Sequence, residues 1–428
     1  MRTGLPLLGL LLFFGPALRP AAAVTCTADA VPGATLLLPF FEVDLGNPNG
    51  LTTLFAVNNA SASAALAHVV LWSDLSVPVL EFNVYLTGYD VQTINLRDIL
   101  VYGNLPQTAS AGQDENDVIS PKGVFSQDVD FASCQGVLPP PPLPPSFTQH
   151  LQLALTGKAS PILQNQCAGQ NLGDGIARGY VTVDTVNNCT LRIPGDIGYF
   201  GPSGTGDVTD QNVLWGNWYI VDVPQQYVIG STMVSIEADA ANPATSTAGR
   251  YTFYGRYDSW TAVDHREPLS STFAAQYFSG GNLFPAGTDL IVWRDPKGDQ
   301  KPFPCPAVPG ITPQWYPLGM EGVIIFDESE HPVVPQTFPF CPQPPTLFDP
   351  FPAATQMVTV GGAQLPVPFL FGWMHLDLNV SATYNPAPPF DNTAAQAYVI
   401  SAHLANGHGV AVDAYRLDSV CSPNHFVP

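Results

Sequence analysis

Positive charge is scarce in this 428-residue chain: 14 Lys and Arg stand against 35 Asp and Glu, a formal net charge of −21. Such a surface repels phosphate backbones and anionic lipid, so nucleic-acid binding is disfavoured. Charged residues of both signs make up only 11% of the chain, and the acidic excess suits either cation binding or simple solubility. Long apolar runs are also missing. Beyond the N-terminus, no stretch approaches the roughly 18 unbroken apolar residues of a membrane helix. There is no C-x-x-C pair, which argues against zinc and thioredoxin-like chemistry. No H-E-x-x-H, glycine-rich phosphate loop or EF-hand spacing occurs. The nearest approach to G-x-S-x-G is GPSGTG at 201–206, where Gly follows Ser203 directly.

What is present begins with an export signal. Arg2, an apolar run from Leu5 to Phe14, a Gly15-Pro16 break and Ala21-Ala22-Ala23 form the three parts of a secretory leader. Cleavage is expected after Ala23, which places the protein outside the cell or at its surface. Removal of the leader takes away Arg2 and Arg19 and no acid, so the exported chain is more acidic still. In an oxidising compartment Cys26, Cys134, Cys167, Cys189, Cys305, Cys341 and Cys421 read as a disulfide framework with one thiol left over. Cys26 is a candidate lipid anchor, although Ala23-Val24-Thr25 departs from the Leu-Ala-Gly type of sequence that precedes a lipidated cysteine; it is otherwise paired or free. A bridge between Cys305 and Cys341 is expected, because they enclose one Pro-rich segment and no other cysteine lies between 189 and 421.

The mature chain is too long for one core. Forty-four prolines and 37 glycines oppose long helices and favour short strands joined by turns. In EFNVYLT, Phe82, Val84 and Leu86 alternate with polar or amphipathic residues, and QTINLRD follows a Gly88-Tyr89-Asp90 turn, so the pair reads as a hairpin. TTLFAVNN and LAHVVLW are apolar on both faces and belong centrally in sheets. LPPPPLPPS at 138–146 reads as an extended polyproline segment, a stiff spacer or else a ligand for a proline-binding module. SFTQHLQLALTG after it is the best helix, with Ser146 as cap, Leu151 and Leu155 on one face and Gly157 at its end. Strands return with GYVTVDTV, and the clearest hairpin carries Asn406-Gly407 at its tip. In MHLDLNV, Met374, Leu376 and Leu378 share one face, and His375 and Asp377 the other. The fold class is all-β: two, or at most three, sandwiches of immunoglobulin-like or jelly-roll-like type. The expected division is a leader at 1–23, a sandwich at 24–130, a Cys- and Pro-rich connector with one short helix at 131–178, and a C-terminal sandwich region at 179–428.

One phrase occurs twice. Residues 69–80 read VVLWSDLSVPVL and residues 323–334 read VIIFDESEHPVV. Aligned without a gap, Val69, Trp72, Pro78 and Val79 stand opposite Val323, Phe326, Pro332 and Val333. TTLFAV (52–57) precedes the first copy much as TDLIVW (288–293) precedes the second. Duplication of a sandwich would produce this, and so would coincidence between two strands ending at a Pro-Val turn. Either way, Trp72 and Phe326 are expected to be core residues of two separate sandwiches.

Candidate sites are few. WGNWY and QWY gather Trp215, Trp218, Tyr219 and Trp315, rings that either stack on sugars or fill a core. Asp114, Glu115, Asn116 and Asp117 offer oxygen ligands for calcium, as do Asp207 and Asp210 in a Gly-rich loop, unless they are solvated loop residues. His403, His408 and Asp413 cluster around the C-terminal hairpin, as metal ligands or as ordinary strand and turn residues. Glu237, Asp239 and Glu321 are the acids of interest for a paired-carboxylate glycosidase. The sequence reads best as a secreted or cell-surface protein without catalysis, serving binding, adhesion or envelope structure through an unidentified surface or polysaccharide ligand. The alternative is an extracellular polysaccharide hydrolase on a sandwich scaffold.

Overall fold

The computed structural model describes residues 31–417 apart from 111, 115, 117, 128, 202–204, 240–251, 256, 258–263, 281–286, 297–299, 310–311, 321, 335–348, 380–395 and 406–407. The leader, Cys26, Glu115, Asp117, Glu321, Cys341 and Cys421 lie outside the described residues.

Nine strands build the first half: β1 (Thr35–Asp44), β2 (Thr52–Asn59), β3 (Ala65–Ser73), β4 (Pro78–Leu86), β5 (Val91–Asn95), β6 (Ile176–Val186), β7 (Leu214–Asp222), β8 (Tyr227–Thr232) and β9 (Val234–Ile236). They form two antiparallel sheets, ordered β4-β3-β6-β1-β9 and β5-β2-β7-β8. Nine more build the second: β10 (Thr272–Phe278), β11 (Gly287–Arg294), β12 (Gly322–Asp327), β13 (Pro332–Val333), β14 (Thr355–Thr359), β15 (Phe371–Asp377), β16 (Ala397–Ala405), β17 (His408–Asp413) and β18 (Tyr415–Arg416). Their sheets run β13-β12-β15-β10-β18 and β14-β11-β16-β17. Adding nine to every strand number of the first pair gives the second pair. The chain is one nine-strand sandwich topology written twice.

The repeated phrase is the β3–β4 and β12–β13 hairpin, and the match extends to its hydrogen bonds. Trp72 pairs with Pro78 and Phe326 with Pro332. The N–H of Ser73 donates to the carbonyl of Val77, as Asp327 does to His331. Ser76 donates to Ser73, and Glu330 to Asp327. The Ser73 hydroxyl accepts from Val77 N–H as the Asp327 carboxylate accepts from His331 N–H. Ser76 (φ 62°) and Glu330 (φ 64°), at matched positions, both adopt the left-handed conformation that closes the turn.

The structure corrects several expectations. Strands β6 to β9 complete the first sandwich, so its boundary lies beyond residue 236 and not at 130 or 178. A long insertion between β5 and β6 separates in sequence what the sheet joins in space. That insertion is no free spacer. It contains the helices α1 (Leu96–Leu100) and α2 (Pro145–Leu155), and Leu151, Ala154 and Leu155 of α2 enter the main core. Pro144, not Ser146, occupies the cap of α2, with Pro145 at the first helical position, where its fixed φ and missing N–H suit the helix start. The expected 81–98 hairpin is instead a corner: β4 pairs with β3 while β5 pairs with β2 in the opposite sheet. Here Thr87 N–H is held by the Asp90 carboxylate and Tyr89 takes a positive φ. The C-terminal hairpin β16–β17 forms as expected, with Ala405 paired to His408 across the two-residue tip.

Packing joins the two repeats. In β11, Leu290 and Val292 face the core of the second sandwich, whereas Ile291 and Trp293 belong to the larger core built around β1, β3 and β6. Trp293 meets Tyr180 of β6 edge-on at 5.9 Å. Ala354 and Thr355 donate backbone N–H to the carbonyl of Asp74, and the Thr355 hydroxyl donates to the carbonyl of Pro39. Cys167 is bridged to Cys305, linking the β5–β6 insertion of the first repeat to the β11–β12 connection of the second. This overturns the expected Cys305–Cys341 bridge: proximity along the chain gave way to the docking of the two repeats. A second bridge, Cys134–Cys189, ties the insertion back to its own sandwich. Among the described residues no helix is long and apolar enough to cross a membrane.

Candidate binding surfaces

Among the described residues, each repeat leaves one sheet face open. In the first, the outer face of β5-β2-β7-β8 carries the cross-strand row Asn95, Leu54, Tyr219 and Gly230, next to the row Thr93, Ala56, Asn217 and Thr232. A Cβ on Gly230 would fall 2.4 Å from the Tyr219 ring, so glycine is what lets that ring lie down across its neighbouring strand. The small Ala56 keeps the floor low, and the result is a depression of about 700 Å³. Leu54 and Tyr219 are exposed there, at 36% and 45%. Their apolar surfaces, rimmed by Asn58, Asn95 and Asn217, can stack on a ligand and hydrogen-bond it.

In the second repeat the open face belongs to β13-β12-β15-β10-β18. Phe326 and Trp373, paired across β12 and β15, stack with centroids 4.1 Å apart and planes 7° from parallel. Phe371 and Tyr415 extend this aromatic surface around a depression of about 440 Å³, and Asp327, Glu328 and Glu330 rim it. The Asp327 carboxylate accepts from the N–H groups of Ser329 and His331 and contacts the His331 imidazole. Hydrogen bonds from His331 hold its pKa below the usual carboxylate range. Phe326 is therefore a half-buried residue of an outer face; Val323 and Ile325 are the core residues of that strand.

The other sequence candidates separate. Of the four aromatic residues proposed to stack on sugar, Trp218 is fully buried, Trp315 is buried, Trp215 is half-buried and only Tyr219 is exposed. Asp114 accepts from the N–H groups of Asn116, Val118 and Ile119, which stabilise its charged form and lower its pKa. Its oxygens thus organise their own loop; the calcium ligand set as a whole is not described. Asp207 is bound by Thr190 and Arg192, and Asp210 by His265, so the two acids serve different contacts. His403 Nδ1 lies 3.1 Å from the Thr288 hydroxyl and its ring stacks on Phe278. Among the described residues no three His, Cys, Asp or Glu side chains converge as a metal site. Glu237 is buried and Asp239 donates its N–H to His265.

Most of the strongly perturbed ionisable groups are enclosed. Burial pushes the Asp74 carboxyl up to about 7, against the hydrogen bond it receives from Gln170 N–H. Burial and nearby Asp196 raise Glu81 to about 7. Between the sheets and the segment after β9, Asp184 accepts from the hydroxyls of Thr35, Tyr199 and Tyr254, and Arg266 reaches Asp184 and Asp264. Arg266, Asp184 and Asp264 have fully or almost fully buried side chains. Arg294, buried among the carbonyls of Leu318, Gly319, Phe351 and Leu378, is lowered to about 10 by desolvation. Asp184, Asp264, Arg266 and Arg294 are clamps held by their partners, whereas the Glu81 side chain is only half-buried.

The platform of Phe326, Phe371, Trp373 and Tyr415 was missed in the sequence. Its signal lay in the alternation of β15, where Trp373 falls on the polar face with His375 and Asp377. Compared with protein-family models, with curated proteins and with solved structures, the chain matches none.

Proposed function

We propose that this is a secreted or surface-attached protein that works by contact through its two open sheet faces, in binding, adhesion or envelope structure. The observation that carries the reading is the distribution of chemistry. Most strongly perturbed acids and bases are enclosed, while Leu54 and Tyr219 on one sheet face and Phe371 and Tyr415 on the other stand exposed beside a depression. Export fits the leader, and the two disulfides among the described residues suit an oxidising compartment. A polysaccharide is the chemistry we assign to the face around Tyr219, by stacking of the ring on the apolar side of a sugar with amides at the rim.

The test is a binding and turnover screen of the mature protein against polysaccharides, with and without calcium. Retention on a glycan that drops at least tenfold in Tyr219→Ala, without release of reducing ends, supports the reading. Steady hydrolysis would replace it with the hydrolase alternative, and no binding to any glycan would remove the polysaccharide assignment.

A further inference from the structure

The two open faces correspond to the two faces that the repeats use on each other. In the first repeat Trp72 stacks on Tyr180, paired across β3 and β6 with planes 2° apart. In the second, Phe326 stacks on Trp373, the matched pair across β12 and β15. The first pair lies on the face turned away from its own partner sheet, and it is covered: both residues are fully buried, with Trp293 of the second repeat against Tyr180. The second pair lies on the same face of the same sheet and stays half-buried, with Phe371 and Tyr415 exposed beside it at 47% and 62%. The segment after β9 places Tyr257 against Trp72, and the sheet that contributes Trp293 to the cover is β14-β11-β16-β17. Its counterpart in the first repeat, β5-β2-β7-β8, is the one whose outer face is open around Leu54 and Tyr219.

From this we infer that the chain assembles head to tail: the outer face of β5-β2-β7-β8 in one copy covers the aromatic face of β13-β12-β15-β10-β18 in the next. The contact pairs the counterparts of the two faces that pack within one molecule; only the edge contact of β17 with β8, already made within each chain, has no copy in it. Because it joins two different faces, each added copy presents a fresh one, so the assembly is open-ended unless the rotation closes a ring. The acidic rim of Asp327, Glu328 and Glu330 faces a chain of net charge −21, so salt should strengthen the contact by screening. The inference rests on the contact-based reading above and names a second copy of this chain as the partner of both faces, so that assembly and glycan compete for the face around Tyr219; loss of glycan binding alone would leave it standing.

Sedimentation velocity of the mature chain at rising concentration tests it, alongside Tyr219→Asp on one face and Phe371→Asp on the other. Both residues are exposed, and unchanged melting temperatures would show that the variants fold. The expected wild-type mass climbs past dimer with concentration, and further with salt. Each variant alone stays monomeric, and their equimolar mixture stops at dimer, because one intact face of each kind remains. A wild type that stays monomeric throughout would overturn the proposal. So would a variant that still dimerises alone, which would mean like-with-like pairing. A monomeric wild type that assembles only after deletion of residues 418–428 would also overturn it and assign the aromatic face to the chain's own terminus.

Discussion

The two repeats share a hairpin down to its backbone hydrogen bonds, yet they treat its aromatic residue in opposite ways. Trp72 is fully buried and donates its indole N–H to Thr182 at 2.9 Å, whereas Phe326 is half-buried on an outer face. The strands differ in the same sense. β3 is buried at every position, while β12 alternates, with Val323 and Ile325 inward. Identical local geometry therefore does not decide burial. A strand's first face is covered by its own sandwich; its second is covered only if another part of the chain lies there. In the first repeat that cover comes from the segment after β9 and from the second repeat.

The largest expected effect tests this contrast. Trp72→Ala should cost about 3–5 kcal/mol, the range for a buried aromatic. Phe326→Ala should cost only ~1–2 kcal/mol, from lost stacking and partial burial. Chemical denaturation of both variants measures it, and equal losses would break the comparison. Since Trp293 of β11 belongs to the core around Trp72, Trp72→Ala should also shift the unfolding of the second repeat. Separate melting of two units would show that the shared core does not couple them.

Next in size is the cross-link between repeats. Replacing Cys167 and Cys305 by Ala should cost roughly 2–4 kcal/mol, the typical range for removing a disulfide. The same change at Cys134 and Cys189 should cost less by under about 1 kcal/mol, because the sequence separations are 138 and 55. Denaturation midpoints of the two double variants rank them, and the reverse order would point to enthalpic strain as the deciding factor.

Asp74 gives a pH test of the joint. Its folded pKa is raised, so the folded state holds a proton that the unfolded state releases near pH 4. Its contribution is complete below the unfolded value, declines between about pH 4 and the folded value of about 7, and is flat above. Asp74→Asn keeps an acceptor for Gln170 N–H and should remove that decline, so the variant gains on the wild type as pH rises from 5 to 8. Stability measured from pH 5 to 8 decides it, and parallel profiles for both proteins would refute it. The smallest effect is expected at the matched, exposed turn position: Glu328→Gln should change stability by less than ~0.5 kcal/mol. A larger loss there would show that the second hairpin is not open to solvent.

Much of the frame was legible along the chain. Period-2 alternation located β4, β15 and the β16–β17 hairpin, and the repeated phrase marked two matched hairpins. The site was less legible. Tyr219 appeared among four aromatic candidates, but nothing near it distinguishes its exposure from the burial of Trp218, one residue earlier on the opposite face of β7. The Phe326–Trp373 stack joins residues distant in sequence, and only the β12–β15 register brings them together.

By itself the sequence determined where strands begin, which residues turn the chain and which face of most strands must be covered, because these depend on φ/ψ preference and alternation within a few residues. Tertiary structure alone decided three things: that β5 leaves β4 for the opposite sheet, that Cys305 meets Cys167, and that Trp72 is covered while Phe326 is not. Each depends on which distant segment arrives at a given face, and a disulfide further requires two Cα atoms to come within about 7 Å of each other. Proximity of that kind is produced by the packing of the two repeats and is not encoded in either one alone.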